Sequence, residues 1–423
     1  VIIYIMPQDK EKDNEPKNLS IQDELAQPIE RISVIRLMDR IIEHSYMARA
    51  SDIHIDPAED KVDVRLRIDG VLHNTFVLPK ELQDEVVSRI KVISGLRTDE
   101  HQAAQDGRFR FKIKDAKINF DIRVSIAPTF YGENAVLRLL VEHGEVFNLE
   151  TLGFSSHDLG VIKRAIKKPY GMILATGPTS CGKTTTLYNI LKILNTEDVS
   201  IITIEDPIEY SVKGIDQIQV NQQTGLTFAS GLRSILRQDP NIIMVGEIRD
   251  EETAAIAVNA ALTGHLLLST IHTNDAATTL PRLIDMKVEP FLIASTVNIA
   301  IGQRLVRKIC PKCKTEKKLS LAELQSLSTV IPQEILEKNK NKVFYYGKGC
   351  KECADIGYKG RIGIHEVLEV TDAIRDAIMK RFNSNKIKEI AKLEGMITML
   401  EDGFDKALKG ITTIEEILRV IHE

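Results

Sequence analysis

Hydrophobic positions follow one kind of pattern before a polar stretch at Glu142 to Thr151 and another after it. From about Glu30 to Ala48, Ile32, Ile35, Leu37, Met38 and Ile41 recur at helical spacing. Ile53 and Ile55, then Val62, Val64, Leu66 and Ile68, alternate with polar residues, the period of half-buried strands. Asp56-Pro57-Ala58-Glu59-Asp60 and Asp69-Gly70 supply the turns. Leu82, Val86, Ile90 and Ile93 form a helical stripe that Gly95 is placed to stop. Two more strands follow. In the second, Ile118, Phe120, Ile122, Val124 and Ile126 alternate without a break, which turns Arg123 away from the core. The expectation is a small, sensor-type (PAS-like) α/β domain over 30–145. A polar linker or truncated region over 1–29 precedes it, and a hinge over 146–152 follows.

Beyond the hinge, short β-rich runs alternate with helical patterns: Met172 to Ala175, Ser200 to Ile204, Ile242 to Val245 and His265 to Thr270. Strands alternating with helices predict a parallel, doubly wound sheet over 153–423. Past Cys353 the pattern reads as helical, with a helical part over 370–423. Ser320-Leu-Ala-Glu323 and Thr413-Ile-Glu-Glu416 fit capping boxes.

Composition narrows the class. Hydrophobic residues at 43% and charged residues at 27% suit a globular chain of two or three domains. The net charge of −4 gives no global field favouring nucleic acid. The most apolar stretch, Pro290 to Ile301, is too short to span a bilayer. The opening Val-Ile-Ile-Tyr-Ile-Met lacks a basic leader, and Val1 is not a start residue, so the chain is expected to begin inside a longer, cytosolic protein.

The chemistry concentrates at strand ends. Gly177-Pro178-Thr179-Ser180-Cys181-Gly182-Lys183-Thr184, followed by Thr185, matches the phosphate-loop pattern. Such a loop turns backbone N–H groups inward around phosphate oxygens and aims a helix N-terminus at them. Lys183 adds a point charge and Thr184 a hydroxyl for Mg²⁺. Cys181 is either a small residue that fits the loop or a redox switch, since a helix N-terminus favours a thiolate. Acids for magnesium and water stand after two buried runs: Glu205 and Glu209 after Ile201 to Ile204, and Glu247 after Ile242 to Val245. Asp250 reads as a helix cap. His265 and His272 flank one more β-rich run.

Together these motifs resemble the secretion-motor ATPases of the GspE/PilB type, which serve type II secretion and type IV pilus assembly. The resemblance covers about Ser51 to Glu369. It includes Ser51-Asp-Ile-His-Ile55, Arg67-Ile-Asp-Gly70, Gln105-Asp-Gly-Arg108, Asp121-Ile-Arg-Val-Ser125, the phosphate loop, Glu205 to Glu209, Val245-Gly-Glu-Ile-Arg-Asp250, Thr263-Gly-His265 and His272-Thr-Asn274. It implies a RecA-like ATPase domain working as a homo-hexamer, with ATP between the two domains of a subunit. Glu247 is then the catalytic acid, Glu205 and Glu209 support Mg²⁺ and water, and His265 and His272 sense the γ-phosphate. Arg108 and Arg123 reach the phosphates, and Arg233 and Arg237 are interface or sensor candidates. Ser180-Cys181 departs from the family's usual Gly-Ser. The implied place is cytoplasmic and peripheral to the inner membrane, with a platform protein and a membrane-associated adaptor as partners. Pilus assembly is the first reading and type II secretion the alternative. A nucleic-acid translocase or DNA-uptake motor, and a scaffold that binds nucleotide without turnover, are the rival classes.

Cys310, Cys313, Cys350 and Cys353 form two CxxC pairs, a tetrahedral thiolate set suited to structural Zn²⁺. The long gap between the pairs predicts an insertion, with the module spanning 308–362. Disulfides within each pair are the rival, disfavoured in the cytosol. This module resembles the tetracysteine element of assembly and secretion ATPases, which retraction ATPases typically lack.

Overall fold

The computed structural model describes residues 21–113, 118–141, 148–318 and 342–422. The chain divides into two compact units between Gly144 and Glu145. The polar stretch 8–19, residues 142–147 of the predicted connection and the Ser320 capping box lie outside the described residues.

The first unit is an antiparallel sheet of β1 (Ala50–Pro57), β2 (Lys61–Ile68), β3 (Val71–Pro79), β4 (Gln105–Ile113), β5 (Ile118–Thr129) and β6 (Gly132–Leu140). Its order is β3-β2-β1-β6-β5-β4. Helices Val34–Met47 and Gln83–Ser94 contribute to its single core, and Gly95 ends the second in the left-handed conformation. Ile35, expected in the buried stripe, is 49% exposed. The buried face runs through Val34, Leu37, Met38, Ile41, Ile42 and Ser45, and Ile35 sits about 100° around the helix from Val34. Two strands gave no clear apolar alternation. In β3 only Leu78 is buried. In β6 an inward position is held by Glu133, which pairs with the fully buried Lys91 at 2.7 Å.

The second unit holds β7 (Gly171–Thr176), β8 (Ile201–Glu205), β9 (Asp216–Gln219), β10 (Ile242–Val245), β11 (Leu266–Ile271) and β12 (Val297–Ile309). A separate ribbon of β13 (Lys314–Lys317) and β14 (Phe344–Gly347) follows, and then β15 (Tyr358–Glu369) returns to the main sheet. The main sheet is ordered β15-β12-β7-β11-β10-β8-β9. Every pairing in it is parallel except that of β15 with β12. Successive side chains go to opposite faces. Met172 and Leu174 join a core with Ala257, Leu280 and Ile293 from helices Glu251–Leu262, Ala276–Asp285 and Pro290–Thr296. Ile173 and Ala175 join the other, with Ile162 and Leu187 from Ser156–Ala165 and Lys183–Leu194. The doubly wound expectation stands, with both faces covered.

Two features of the pattern misled. The chain past Cys353 opens not as helix but as β15, 12 residues long and antiparallel to β12. Its inner half, Ile364 to Leu368, is wholly buried, so it carries no period-2 signal. The apolar run from Pro290 is a helix that passes directly into the 13-residue β12, with no turn residue to mark the join. Only from Asp372 onward are the remaining elements helical: Asp372–Met379, Ser384–Leu393, Met399–Leu408 and Ile414–His422. The Thr413 box forms by half. Thr413 Oγ1 accepts from the Glu416 amide at 3.2 Å, while the Glu416 carboxylate turns to Arg307 at 2.5 Å.

Candidate active site

Parallel strands put their carboxyl ends on one edge of a sheet, and the phosphate loop, Glu247, His272 and Glu205 all stand there. β7 enters the loop through Thr176, whose hydroxyl donates to the Thr273 carbonyl at 2.8 Å. The loop bends with φ of 143° at Gly177, 63° at Ser180 and 90° at Gly182, and the helix begins at Lys183. The Lys183 ammonium is buried inside the curve, donating to the Gly177 and Pro178 carbonyls at 2.8 Å each. Burial pushes its pKa down, against the charges of Cys181 and Glu247. Thr184 and Thr185 are half-buried in the first turn of that helix. Cys181 is 4% exposed, and burial pushes its thiol up, which favours the small-residue reading over a redox switch.

Glu247 follows β10 and is buried beside this cradle. His272 Nε2 lies 3.0 Å from Glu247 Oε2, and Arg249 Nη2 lies 2.5 Å from Oε1. An ionised carboxylate only accepts, so the imidazole nitrogen donates. Glu205 is buried at the end of β8. It accepts from the Tyr188 hydroxyl, from Thr203 Oγ1 at 2.7 Å and from Gln217 Nε2 at 3.1 Å. Burial and this carboxylate push the Tyr188 phenol up. Glu205 is thus bound to the second turn of the phosphate-loop helix, while Glu209 is exposed. Asp250 caps its helix, accepting from the Thr253 amide at 2.7 Å.

The two histidines part company. His265 precedes β11, so six strand residues, about 20 Å, separate it from His272. Its Nδ1 meets the Ala260 carbonyl at 2.9 Å and its backbone carbonyl accepts from Gly171, at the amino end of β7. This corrects the expectation that both histidines sense phosphate, since His265 lies at the wrong edge of its own sheet.

In the first unit, Arg108, Arg123, Arg138, Asp52 and Arg67 stand in register across β4, β5, β6, β1 and β2. Arg123 is half-exposed between Ile122 and Val124, both buried, so it faces off the core as its alternation requires. Arg138 Nε donates to Asp52 at 2.8 Å. Burial pushes the Asp52 carboxyl up, but hydrogen bonds from Arg138 and Ser51 and the charges of Arg138 and Arg67 outweigh it and hold it below its usual range. On helix Phe228–Ile235, Arg233 pairs with Glu252 at 2.7 Å; Arg237, just beyond it, donates to the Arg233 carbonyl.

The four cysteines gather where β12 ends and β15 begins, and their sulfurs all lie within 4.8 Å of one another. Sγ–Sγ separations are 3.8 Å for Cys310–Cys350, 3.8 Å for Cys313–Cys353 and 3.7 Å for Cys350–Cys353. No disulfide has that length, whereas thiolates at about 2.3 Å from a tetrahedral zinc stand about 3.8 Å apart. Burial pushes the Cys353 thiol up, but amides of Gly357 and Cys350 and neighbouring sulfurs outweigh it, bringing it to about 7. The insertion between the pairs includes the β13–β14 ribbon.

The sequence profile of type II/IV secretion system proteins matches residues 28–419. The chain belongs to that family. Among secretion-family relatives, the type IV pilus assembly ATPase PilB of Thermus thermophilus is 47% identical over 94% of this chain and 44% of its own length. The type II secretion system protein E of Xanthomonas campestris is 46% identical over 92% of this chain and 68% of its own. The chain therefore spans under half of one relative and about two thirds of the other. Among solved structures, the pilus retraction motor PilT with bound ADP is 26% identical, with a TM-score of 0.60 over 90% of this chain and 96% of its own. The Legionella pneumophila ATPase DotB shares the fold at a TM-score of 0.66 over 94% and 98%, at 22% identity.

For this secretion-family chain, sequence reasoning missed Arg138, Tyr188 and Gln217. Arg138 was recoverable, because it breaks the apolar run Ala135 to Leu140 at an outward position. Tyr188 and Gln217 find Glu205 only through the fold. Among the described residues no helix is long and apolar enough to cross a membrane.

Proposed function

We propose that this chain is the ATP-hydrolysing motor core of a type IV pilus assembly machine, working as a homo-hexamer at the cytoplasmic face of the inner membrane. The observation that carries the reading is the Glu247–His272 pair, 3.0 Å apart, beside a phosphate loop closed around Lys183. The loop amides and Lys183 hold the polyphosphate of ATP. Thr184 is the residue to hold Mg²⁺, which when bound neutralises charge between phosphates. Glu247 takes a proton from the attacking water, and His272 orients that carboxylate and reports on the γ-phosphate. Glu205, whose carboxylate is tied to the phosphate-loop helix through Tyr188, and Glu209 are the acids to support Mg²⁺ and the attacking water. Arg108 and Arg123 are the first unit's candidates for an arginine-finger role. Arg233 and Arg237 serve subunit contact.

The four thiolates hold a structural Zn²⁺, and their spacing fits that ion. Hydrolysis moves a membrane platform protein, with a membrane-associated adaptor holding the motor in place. Type II secretion is the second reading, favoured by a relative of nearly equal identity. The net charge of −4 weighs against nucleic acid as the substrate.

Phosphate release by the purified chain tests the chemistry, and Lys183→Ala must abolish it. Complementation tests the system. Restored surface fibres in a strain lacking its pilus assembly ATPase support the first reading; restored protein export without fibres overturns it in favour of the second.

A further inference from the structure

Gln303 lies on β12, the strand beside β7, and is 2% exposed. Its side-chain amide is used at both ends. Nε2 donates to the Cys181 carbonyl at 2.6 Å, inside the phosphate loop. Oε1 accepts from Thr186 Oγ1 at 2.8 Å, in the first turn of the helix that the loop feeds. Its backbone carbonyl crowds the loop from behind, since a Cβ on Gly177 would come within 2.5 Å of it. At the far side, Nε2 stands 3.1 Å from where a Gly182 Cβ would be. One residue therefore hydrogen-bonds the loop at its middle and leaves no room for a side chain at Gly177 and little at Gly182.

We propose that Gln303 is a positioning residue for nucleotide binding, resting on the nucleotide reading above: its amide fixes how far the loop backbone stands from its helix. A phosphate cradle works only if its N–H groups already converge, because each donor that must swing into place costs binding free energy. Holding the Cys181 carbonyl outward, toward Gln303, turns the Gly182 N–H of the same trans peptide the opposite way, into the loop. The amide suits this task because it gives one donor and one acceptor from a single plane. Glutamate in its place keeps the acceptor for Thr186 but sets a carboxylate oxygen against the Cys181 carbonyl.

The test is titration of the full chain with fluorescently labelled ADP, alongside thermal melting without nucleotide. Gln303→Glu weakens binding at least tenfold. Val306→Ala, a cavity-forming change three residues further along the same strand at a fully buried site away from the loop, lowers the melting temperature while leaving affinity within twofold of wild type. Thr186→Val, which removes one of the two anchors, weakens binding at least threefold and carries the test if Gln303→Glu does not fold. Unchanged affinity in Gln303→Glu, or in Thr186→Val where the former does not fold, overturns the inference. So does equal weakening in Val306→Ala, because general destabilisation then explains the loss. A wild-type chain that binds no labelled ADP overturns the nucleotide reading itself, and this inference with it.

Discussion

His272 Nε2 meets Glu247 Oε2 at 3.0 Å, from the carboxyl ends of two adjacent parallel strands, β11 and β10. Neither residue is near the other in sequence; the sheet makes the pair. A carboxylate held this way is aimed, and aiming is what a base for water needs. Glu247→Gln keeps the shape and a hydrogen-bonding oxygen but removes the base. Turnover is expected to fall at least about 100-fold with nucleotide affinity within a few-fold. Phosphate release and labelled-nucleotide titration measure the two separately, and full turnover in this variant removes Glu247 from the mechanism.

The two histidines separate site from scaffold. His272→Ala is expected to lower kcat about tenfold or more, with little change in melting temperature. His265→Ala loses a ring contact to the Ala260 carbonyl at the far edge of the sheet, so kcat stays within about twofold. Equal kinetic damage from both would contradict the placement of His265.

Gly177 has no room for a side chain. An added Cβ would stand 2.5 Å from the Gln303 carbonyl and 2.6 Å from Cys181 Sγ, at a φ of 143° that L residues avoid. Gly177→Ala is expected to weaken nucleotide binding by tenfold or more, roughly the effect of 1.4 kcal/mol. Calorimetric titration checks it.

The cysteine cluster stands between the end of β12 and the start of β15, and the same region is braced by the C-terminal helices, with Phe344 packed among Phe404, Ala407 and Ile417. Cys353→Ser, or a strong chelator, is expected to remove one zinc per chain and lower the melting temperature by several degrees. Cys181→Ser leaves the metal content unchanged. Metal analysis of both variants distinguishes a zinc site from four free thiols.

Glu416 gives a pH dependence with a definite sign. Burial pushes its carboxyl up, but hydrogen bonds from Arg307 and Arg419 and the charge of Arg307 outweigh it and bring it to about 2. The unfolded carboxyl titrates near 4.5, so the folded state gains stability above that value and loses it as pH falls from 4.5 toward 2. Arg307→Met leaves the carboxylate short of its main partner. The acid-unfolding midpoint, followed by circular dichroism, is expected to move to higher pH. No movement would mean that the Arg307 pair contributes nothing to acid stability.

Local rules determined much of this protein. Glycines at 177 and 182, a lysine and a run of threonines fix a phosphate loop, because the left-handed turns and the helix start depend on neighbours in sequence. Apolar alternation turned Arg123 outward, and Cys-x-x-Cys spacing announced a thiolate cluster. Only the tertiary structure decided what those parts face. Parallel strand order joined His272 to Glu247 and sent His265 to the opposite edge, although both bracket the same strand. It also set Gln303 against Cys181, 122 residues away along the chain, to brace the loop. Burial on both faces erased the period that would have revealed β15 and β12. Sequence periodicity records only the contrast between core and solvent; where a strand has no solvent side, its partners are set by the sheet.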